Sequence, residues 1–241
     1  MARFVLVHGA FGGAWSWEPV VRPLEAAGHT VQTLDLPGGG DDRTPVEEIT
    51  LESCAARVCE VLASRPEPAV LVGYSMGGAV ATQAAGLCPD RVASLIFVAA
   101  FMPGDGQSLL DLTGLPEGAD DMIQANIVVE GEPPLATLSA EATVAAVYNC
   151  CPPDVAAKAA ARRRSQAVAV FATPVSVDDE RLAAIPRSYV LTRQDNSIPV
   201  ALQRRMIAEH PCTNVVELDT DHAPQLSATS ELVAALNDLA R

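Results

Sequence analysis

Apolar residues in this chain follow two alternating patterns, short unbroken runs and longer segments with one apolar face. A short unbroken run is typical of a strand covered on both faces of a parallel sheet. Such runs occur near residues 4–7, 29–34, 69–72, 94–99, 188–192 and 215–218. Segments with helical spacing lie between them, near residues 15–27, 50–64, 76–87, 200–209 and 227–239. Alternating strands and helices predict βαβ units and an α/β fold, a mostly parallel sheet flanked by helices.

The middle of the chain departs from this alternation. From about residue 101 to about residue 186 the sequence is rich in Pro, Gly and Ala, and no part of it predicts a strand. Weak helical signals occur near residues 105–113, 139–150 and 153–166. We therefore expect a single domain over residues 1–241, with its core in about 1–100 and 187–241. A helical lid, about 101–186, would be inserted before the last two strands.

Composition limits the classes of partner. Of the 241 residues 49% are hydrophobic, which is enough for a sizeable core. A net charge of −14 repels phosphate backbones, so we expect no nucleic-acid partner. Residues 69–88 carry no formal charge, but their four glycines favour a strand, a turn and a helix over a membrane span. We expect no membrane partner, and a homodimer is compatible with the sequence.

The six cysteines show neither a CxxC pair nor zinc-ligand spacing. Cys150 and Cys151 are adjacent and would close only a strained ring. The apolar run at the N-terminus is too short for a signal-peptide core. We therefore expect free thiols in a reducing cytosol, a cytoplasmic protein and no metal site.

The residues Gly73-Tyr74-Ser75-Met76-Gly77 match the pattern G-x-S-x-G between a predicted strand and a predicted helix. In that setting the serine occupies a sharp, strained turn, and its hydroxyl projects above the sheet. Small residues two before and two after it are needed because neighbouring backbone passes close by. Ser75 is therefore the predicted nucleophile.

A serine needs a base, and the base needs a group that orients it. Among the four histidines, His222 follows the last strand, at the sheet edge where sites of α/β folds lie. Asp195 follows the strand near 188–192, so the chain order is Ser, Asp, His. Asp219 and Asp221 are rivals, although residues so near His222 in sequence cannot easily reach its Nδ1. His8, His29 and His210 are interpreted as an ordering residue of the first loop, a structural residue and an exposed residue.

An oxyanion hole needs two backbone N–H groups. We expect one from Met76, which follows the nucleophile, and one from the loop after the first strand. Ala10 is the predicted donor in that loop and Phe11 the alternative. The loop matches neither G-x-G-x-x-G nor G-x-x-x-x-G-K-[ST], so nucleotide binding is not indicated.

Substrate contacts are predicted from aromatic residues near the mouth of this site: Phe11, Trp15, Tyr74, Phe101 and Phe171. Apolar walls favour a small-molecule ester with a hydrophobic or aryl group as the partner. For the tryptophans, packing between helix and sheet is the favoured alternative. The arginine run 162–164 suits either an anionic substrate or, as we prefer, a solvated helix face.

Several motifs together resemble a branch of the α/β-hydrolases that contains plant methyl esterases, hydroxynitrile lyases and bacterial esterases similar to pyrethroid hydrolases. They cover both ends of the chain well and the middle poorly. The motifs are Phe4-Val-Leu-Val-His-Gly-Ala10, Gly12-Gly13-Ala-Trp15-Ser-Trp17, Gly28-His29, Asp35-Leu-Pro-Gly38, Gly73-Tyr-Ser-Met-Gly-Gly78, the stretch 192–199 and Asp221-His-Ala-Pro224.

The resemblance implies an α/β-hydrolase fold and a carboxylesterase without a cofactor. It also implies the roles assigned above to Ser75, Asp195 and His222, and to the Ala10 and Met76 amides. The lyases of the branch look to have threonine where Gly9 stands and lysine where Ala223 stands, which argues against cyanohydrin cleavage. Two alternatives stay open: a lyase or cyclase that uses the same triad as a proton shuttle on a natural-product intermediate, and a non-catalytic ligand receptor.

Overall fold

The computed structural model describes residues 1–240, and within them lie nine strands and eleven α-helices. The strands are β1 (Arg3–Val7), β2 (Thr30–Thr33), β3 (Ala69–Tyr74), β4 (Val92–Val98), β5 (Val128–Glu130), β6 (Leu135–Thr137), β7 (Gln166–Ala167), β8 (Arg187–Thr192) and β9 (Asn214–Leu218). The α-helices are α1 (Glu18–Ala26), α2 (Leu51–Ala63), α3 (Gly77–Leu87), α4 (Leu109–Thr113), α5 (Ala140–Val147), α6 (Pro153–Ala161), α7 (Ala169–Ala172), α8 (Asp179–Ala183), α9 (Val200–Glu209), α10 (Pro224–Ser227) and α11 (Thr229–Leu239).

The six apolar runs form one parallel sheet, in the order β2-β1-β3-β4-β8-β9. This confirms the predicted α/β fold with its parallel sheet. All carboxyl ends lie at the same edge because the strands are parallel. The loops after β1 and β3 are neighbours there, and so are the loops after β8 and β9. The sheet order thus places the predicted site residues at one edge.

Helices cover both faces of the sheet, and alternate residues of a strand point to opposite layers. In β1, Phe4 and Leu6 belong to the apolar cluster that contains α1 and α11. Val5 and Val7 belong to the other cluster, with α2 and α3. Every residue of β1 and β3 is therefore buried, which explains why these strands read as unbroken apolar runs.

Residues 101–186 contain α4 to α8 and, unexpectedly, a three-stranded antiparallel sheet in the order β5-β6-β7. Its strands are only two or three residues long, too short for a readable alternation of apolar and polar positions. The helix expected over 153–166 is also shorter than predicted. It ends at Ala161, so the arginine run 162–164 lies beyond it.

Two expectations about local features need correction. Cys59 and Cys88 form a disulfide that joins α2 to the residue after α3, whereas free thiols were expected. The last helix begins at Thr229 rather than Ser227, which ends the short helix α10 instead. In the described part of the chain, no helix is both long and apolar enough to cross a membrane.

Candidate active site

Ser75 occupies the sharp turn between β3 and α3. Its φ is +54°, in the left-handed region that side chains other than glycine rarely adopt. A β carbon at Gly73 would lie 2.6 Å from the carbonyl oxygen of Gly77, and one at Gly77 would lie 2.6 Å from the carbonyl oxygen of His8. These glycines are thus required by backbone that crosses close to the turn, as the G-x-S-x-G pattern predicts.

Three side chains from distant parts of the chain form a continuous hydrogen-bond chain. The Ser75 Oγ lies 2.9 Å from His222 Nε2, and His222 Nδ1 lies 2.8 Å from Asp195 Oδ2. All three residues are at most 8% exposed. When Nδ1 donates to the carboxylate, Nε2 carries a lone pair and can accept the serine proton. The arrangement therefore supplies a hydroxyl, a base and an orienting carboxylate in series.

The loop after β8 holds the Asp195 carboxylate from both sides. Oδ1 accepts the backbone N–H groups of Ser197 and Ile198, each at 2.8 Å. Oδ2 accepts the Thr192 hydroxyl at 2.9 Å in addition to His222, and the Gln203 amide at 3.3 Å. With both oxygens occupied by donors, the carboxylate has a single orientation toward the imidazole.

The two rival aspartates lie elsewhere. Asp219 forms an ion pair with Arg193 at 3.2 Å, and its side chain is 64% exposed. Asp221 is buried but accepts hydrogen bonds from the backbone N–H groups of Cys150 and Ala223, at 2.7 and 3.0 Å. Neither is bonded to the imidazole, so only Asp195 orients it.

The other histidines have structural surroundings. His8 Nε2 accepts the Leu36 N–H at 3.0 Å and Nδ1 donates to the Gly9 carbonyl, so it orders the first loop. Burial lowers its pKa. His29 Nδ1 accepts the Ala2 N–H at 3.1 Å. His210, expected to be exposed, is half-buried, and its Nε2 has no hydrogen-bond partner among the described residues.

The backbone N–H groups of Ala10 and Met76 donate to no protein acceptor within residues 1–240. The Phe11 N–H, the alternative in the first loop, instead faces Gln166 Oε1 at 3.4 Å. Met76 also precedes the first residue of α3, where the partial positive charge of a helix N-terminus adds to the attraction for an anion. Two free amides thus lie in the segments that flank Ser75.

The arginine run 162–164 bonds to the loop after β1 and to Glu18 at the start of α1. The preferred interpretation of this run as a solvated helix face is therefore wrong. Arg163 donates from Nη2 to the Ala10 carbonyl at 3.0 Å, and its guanidinium lies 5.0 Å from the Phe11 ring centroid. The Arg164 N–H donates to the Phe11 carbonyl at 2.9 Å. Arg162 pairs with Glu18 at 3.1 Å. The local sequence pattern indicates none of these bonds, because Arg163 and Ala10 are 153 positions apart and Arg162 and Glu18 are 144 positions apart.

A mostly apolar cavity adjoins Ser75 and both free amides. Among its walls are the following side chains: Phe11, Phe101, Leu109, Ile127, Phe171 and Ile198. Three of the five aromatic residues predicted to touch substrate therefore border this cavity, namely Phe11, Phe101 and Phe171. The Phe11 and Phe171 rings face each other with centroids 6.2 Å apart.

Tyr74 and Trp15, also predicted as substrate contacts, lie outside this lining. The Tyr74 ring packs between Trp17 and His222, with centroids 6.1 and 5.1 Å away. Burial raises the pKa of the Tyr74 phenol well above its usual value. Trp15 lies beside a separate surface depression, with the Arg162 guanidinium 4.6 Å from its ring centroid. Packing against neighbours, the alternative considered for the tryptophans, describes Trp15 and Trp17 better.

One residue of the cavity was missed. Asp121 is 5% exposed and lies in the wall that borders Ser75. Burial raises the pKa of its carboxyl to about 6, against the opposing effect of hydrogen bonds from the Gln124 and Ile123 amides. Its neighbour Asp120 is exposed, and nothing in the pattern distinguishes the two residues.

Comparison with known proteins agrees with the resemblance carried by the motifs. Methylesterase 7 of Arabidopsis thaliana is 34% identical over 256 residues, covering 99% of this chain and 96% of the relative. The α-hydroxynitrile lyase of the same plant is 30% identical over 249 residues, covering 99% and 96%. The solved structure of a pyrethroid hydrolase from Sphingobium faniae JZ-2 superposes with a TM-score of 0.88 and 28% identity, covering 99% of this chain and 97% of that one.

The family model that matches the chain covers almost its whole length. It describes the alpha/beta hydrolase family and spans residues 4–236. The six-stranded parallel sheet with helices on both faces is consistent with that match. This chain therefore belongs to the α/β-hydrolase family.

Proposed function

We propose that this protein is a carboxylesterase that cleaves an ester of a small hydrophobic or aromatic substrate through an acyl-enzyme. The observation that carries the proposal is the hydrogen-bond chain Ser75–His222–Asp195, closed without any rearrangement. Relatives named as methylesterase and pyrethroid hydrolase support ester cleavage. The apolar walls beside Ser75 favour a hydrophobic acyl or aryl group.

In the proposed reaction, Ser75 Oγ attacks the ester carbonyl carbon while His222 Nε2 takes the hydroxyl proton. The free N–H groups of Ala10 and Met76 donate to the carbonyl oxygen as it becomes negative. His222 then returns the proton to the leaving alcohol, and Asp195 stabilises the imidazolium in between. A water molecule cleaves the acyl-enzyme by the same route, which releases the acid.

Two positions argue against lyase chemistry of the hydroxynitrile type. A β carbon at Gly9 would lie 2.7 Å from the Ser75 Cβ, so the threonine that the lyases look to have would displace the nucleophile. Ala223 is 3% exposed and packs in an apolar cluster with Val147 and Tyr148, where a lysine would bury an unpaired charge.

A panel of three reagents tests the proposal: p-nitrophenyl butyrate, mandelonitrile and a fluorophosphonate. We expect ester turnover and one covalent fluorophosphonate adduct on the intact protein, both lost in Ser75→Ala. Ser230→Ala, an exposed serine on α11, is the matched control and should keep both.

Each other outcome identifies a different function. Cyanide release from mandelonitrile without ester turnover would replace the esterase by a lyase. Ligand-induced thermal protection with neither activity nor labelling would indicate a receptor. Ester turnover that survives Ser75→Ala would refute the proposed nucleophile.

A further inference from the structure

The Asp121 carboxyl is an isolated charge in the wall of the cavity beside Ser75. Among the described residues that line this cavity, it is the only one with a formal charge, and it is 5% exposed. Aromatic and aliphatic side chains, such as Phe101, Leu109 and Phe171, form most of the surrounding wall. A buried carboxylate in such surroundings is unfavourable unless a donor partners it.

Only half of this carboxyl has a structural use. Oδ1 accepts the backbone N–H groups of Ile123 and Gln124, at 2.7 and 3.2 Å, and these bonds stabilise the turn over residues 121–124. Within the part of the chain that the structure describes, the carboxyl forms no ion pair, and the Gln124 side-chain amide is the only side-chain donor that acts on it, with a smaller effect on its pKa than burial. A serine or asparagine would hold the same turn with a single oxygen. The charge and the second oxygen are therefore not explained by the fold.

The other polar side chains of the wall are already engaged. The Thr113 hydroxyl donates to the Leu110 carbonyl at 3.2 Å, and the Gln124 amide donates to the Thr113 carbonyl at 2.8 Å. The Ser197 hydroxyl donates to the Ala146 carbonyl at 2.8 Å. Their donors are thus used within the protein, except for the second N–H of the Gln124 amide, which stabilises the Asp121 charge by less than burial opposes it. None of these groups carries a positive charge that would neutralise the carboxylate.

The carboxyl is held in a defined place relative to the catalytic groups. The next residue, Met122, donates its N–H to the Asn196 carbonyl at 2.9 Å, which ties the turn to the loop that carries Asp195. When His222 is protonated it attracts the Asp121 charge, and this attraction opposes the effect of burial on the carboxyl's pKa. At a pKa of about 6 the carboxyl is ionised at pH 8, and its Oδ2 can then accept a strong hydrogen bond from a donor in the cavity.

We propose that Asp121 is a specificity residue that accepts a hydrogen bond from a hydroxyl or amine of the substrate. The preferred substrates are accordingly small, otherwise hydrophobic esters that carry one such donor. This inference rests on the proposed esterase function for its catalytic meaning, but the recognition itself is a binding event that does not require turnover.

The experiment uses methyl arylacetates that differ in a single ring substituent, at each of the three ring positions. The substituents are hydroxyl, methyl, methoxy and aminomethyl, which are a neutral donor, a shape control, an acceptor and a cationic donor. Dissociation constants are measured by calorimetry at pH 8 on Ser75→Ala protein, and hydrolysis is measured on the active enzyme. The variants are Asp121→Asn, Asp121→Ser, which keeps an oxygen for the turn, and Asp120→Asn as the exposed neighbouring control.

For at least one ring position, a donor-bearing ester should bind about 10- to 100-fold more tightly than its methyl analogue, since a hydrogen bond to a charged group has that strength. Asp121→Ser should remove the preference. Asp121→Asn should shift it toward methoxy, because the amide can donate, and Asp120→Asn should preserve it. A stronger effect of aminomethyl identifies an amine as the natural group, and a stronger effect of hydroxyl identifies an alcohol or phenol.

Equal affinities across the series, no binding by any member, or a donor preference that survives Asp121→Ser would each overturn the proposal. A preference that depends on Asp121 without hydrolysis by the active enzyme would support the recognition and refute the esterase. Hydrolysis without a donor preference would support the esterase and refute the recognition by Asp121.

Discussion

Replacing Asp195 by asparagine isolates the orienting role of its carboxylate. The amide oxygen has to face the Ser197 and Ile198 N–H groups, because the opposite orientation would leave two buried donors against an NH₂ group. The NH₂ group then occupies the place of Oδ2, 2.8 Å from His222 Nδ1. Nδ1 must accept, so the ring proton moves to Nε2, the atom that has to accept the Ser75 proton.

The wrong tautomer removes the base while leaving the packing intact. We expect kcat for p-nitrophenyl butyrate to fall about 10⁴-fold, which corresponds to about 5 kcal/mol of transition-state stabilisation. KM should change little, because the Asp195 side chain is covered by its hydrogen-bond partners. Thermal melting should show a folded protein with a lowered melting temperature, since both backbone amides keep their acceptor while the Thr192 hydroxyl and the Gln203 amide lose theirs.

The assay compares Asp195→Asn with Asp219→Asn, whose side chain is 64% exposed and paired with Arg193. The control should keep kcat within about twofold, as surface substitutions away from the site generally do. If a folded Asp195→Asn enzyme retained a tenth or more of the wild-type kcat, control of the tautomer by Asp195 would be refuted. A comparable loss in Asp219→Asn would transfer the orienting role to the other loop.

Three further predictions concern the loops around the site. Arg163→Met removes the donor to the Ala10 carbonyl and should lower kcat about tenfold with little change in KM, since the segment that carries the proposed oxyanion donor loses its support. Arg162→Met is the control, and equal effects of the two substitutions would contradict this role of Arg163. Gly9→Thr places a β carbon 2.7 Å from the Ser75 Cβ. The substitution should lower kcat/KM about 100-fold or more in a protein that still folds. Unchanged turnover would show that the turn at Ser75 accommodates the threonine side chain. The raised pKa of Asp121, about 6, means that the folded state binds this proton more tightly than the unfolded state. The contribution of this group to stability is therefore complete below about pH 4 and is lost as the pH rises through 6. Asp121→Asn should therefore raise the free energy of unfolding by on the order of 2–3 kcal/mol at pH 8 and by much less at pH 4.5, as measured by urea titration; equal gains at both pH values would show that burial of the charge is not the cause.

The six strands of the large sheet and the turn at Ser75 could be predicted from the sequence. Burial of β1 and β3 on both faces demands consecutive apolar residues, and the crossing backbone at the turn demands glycine. Both requirements act over a few neighbouring positions, so they leave a local pattern. The meeting of Ser75, Asp195 and His222 could equally be predicted, because the loops that follow parallel strands lie at one edge of the sheet.

Only the tertiary structure decided several contacts between segments that are distant along the chain. The bond from Arg163 to the Ala10 carbonyl, the disulfide between Cys59 and Cys88 and the burial of Asp121 leave no periodic trace in the sequence. Each depends on how segments distant along the chain pack, and the strands β5 to β7 of the middle segment are too short to show an alternation of their own. The sequence therefore determined the framework of Ser75, His222 and Asp195 through local geometric needs, whereas long-range packing determined what surrounds it.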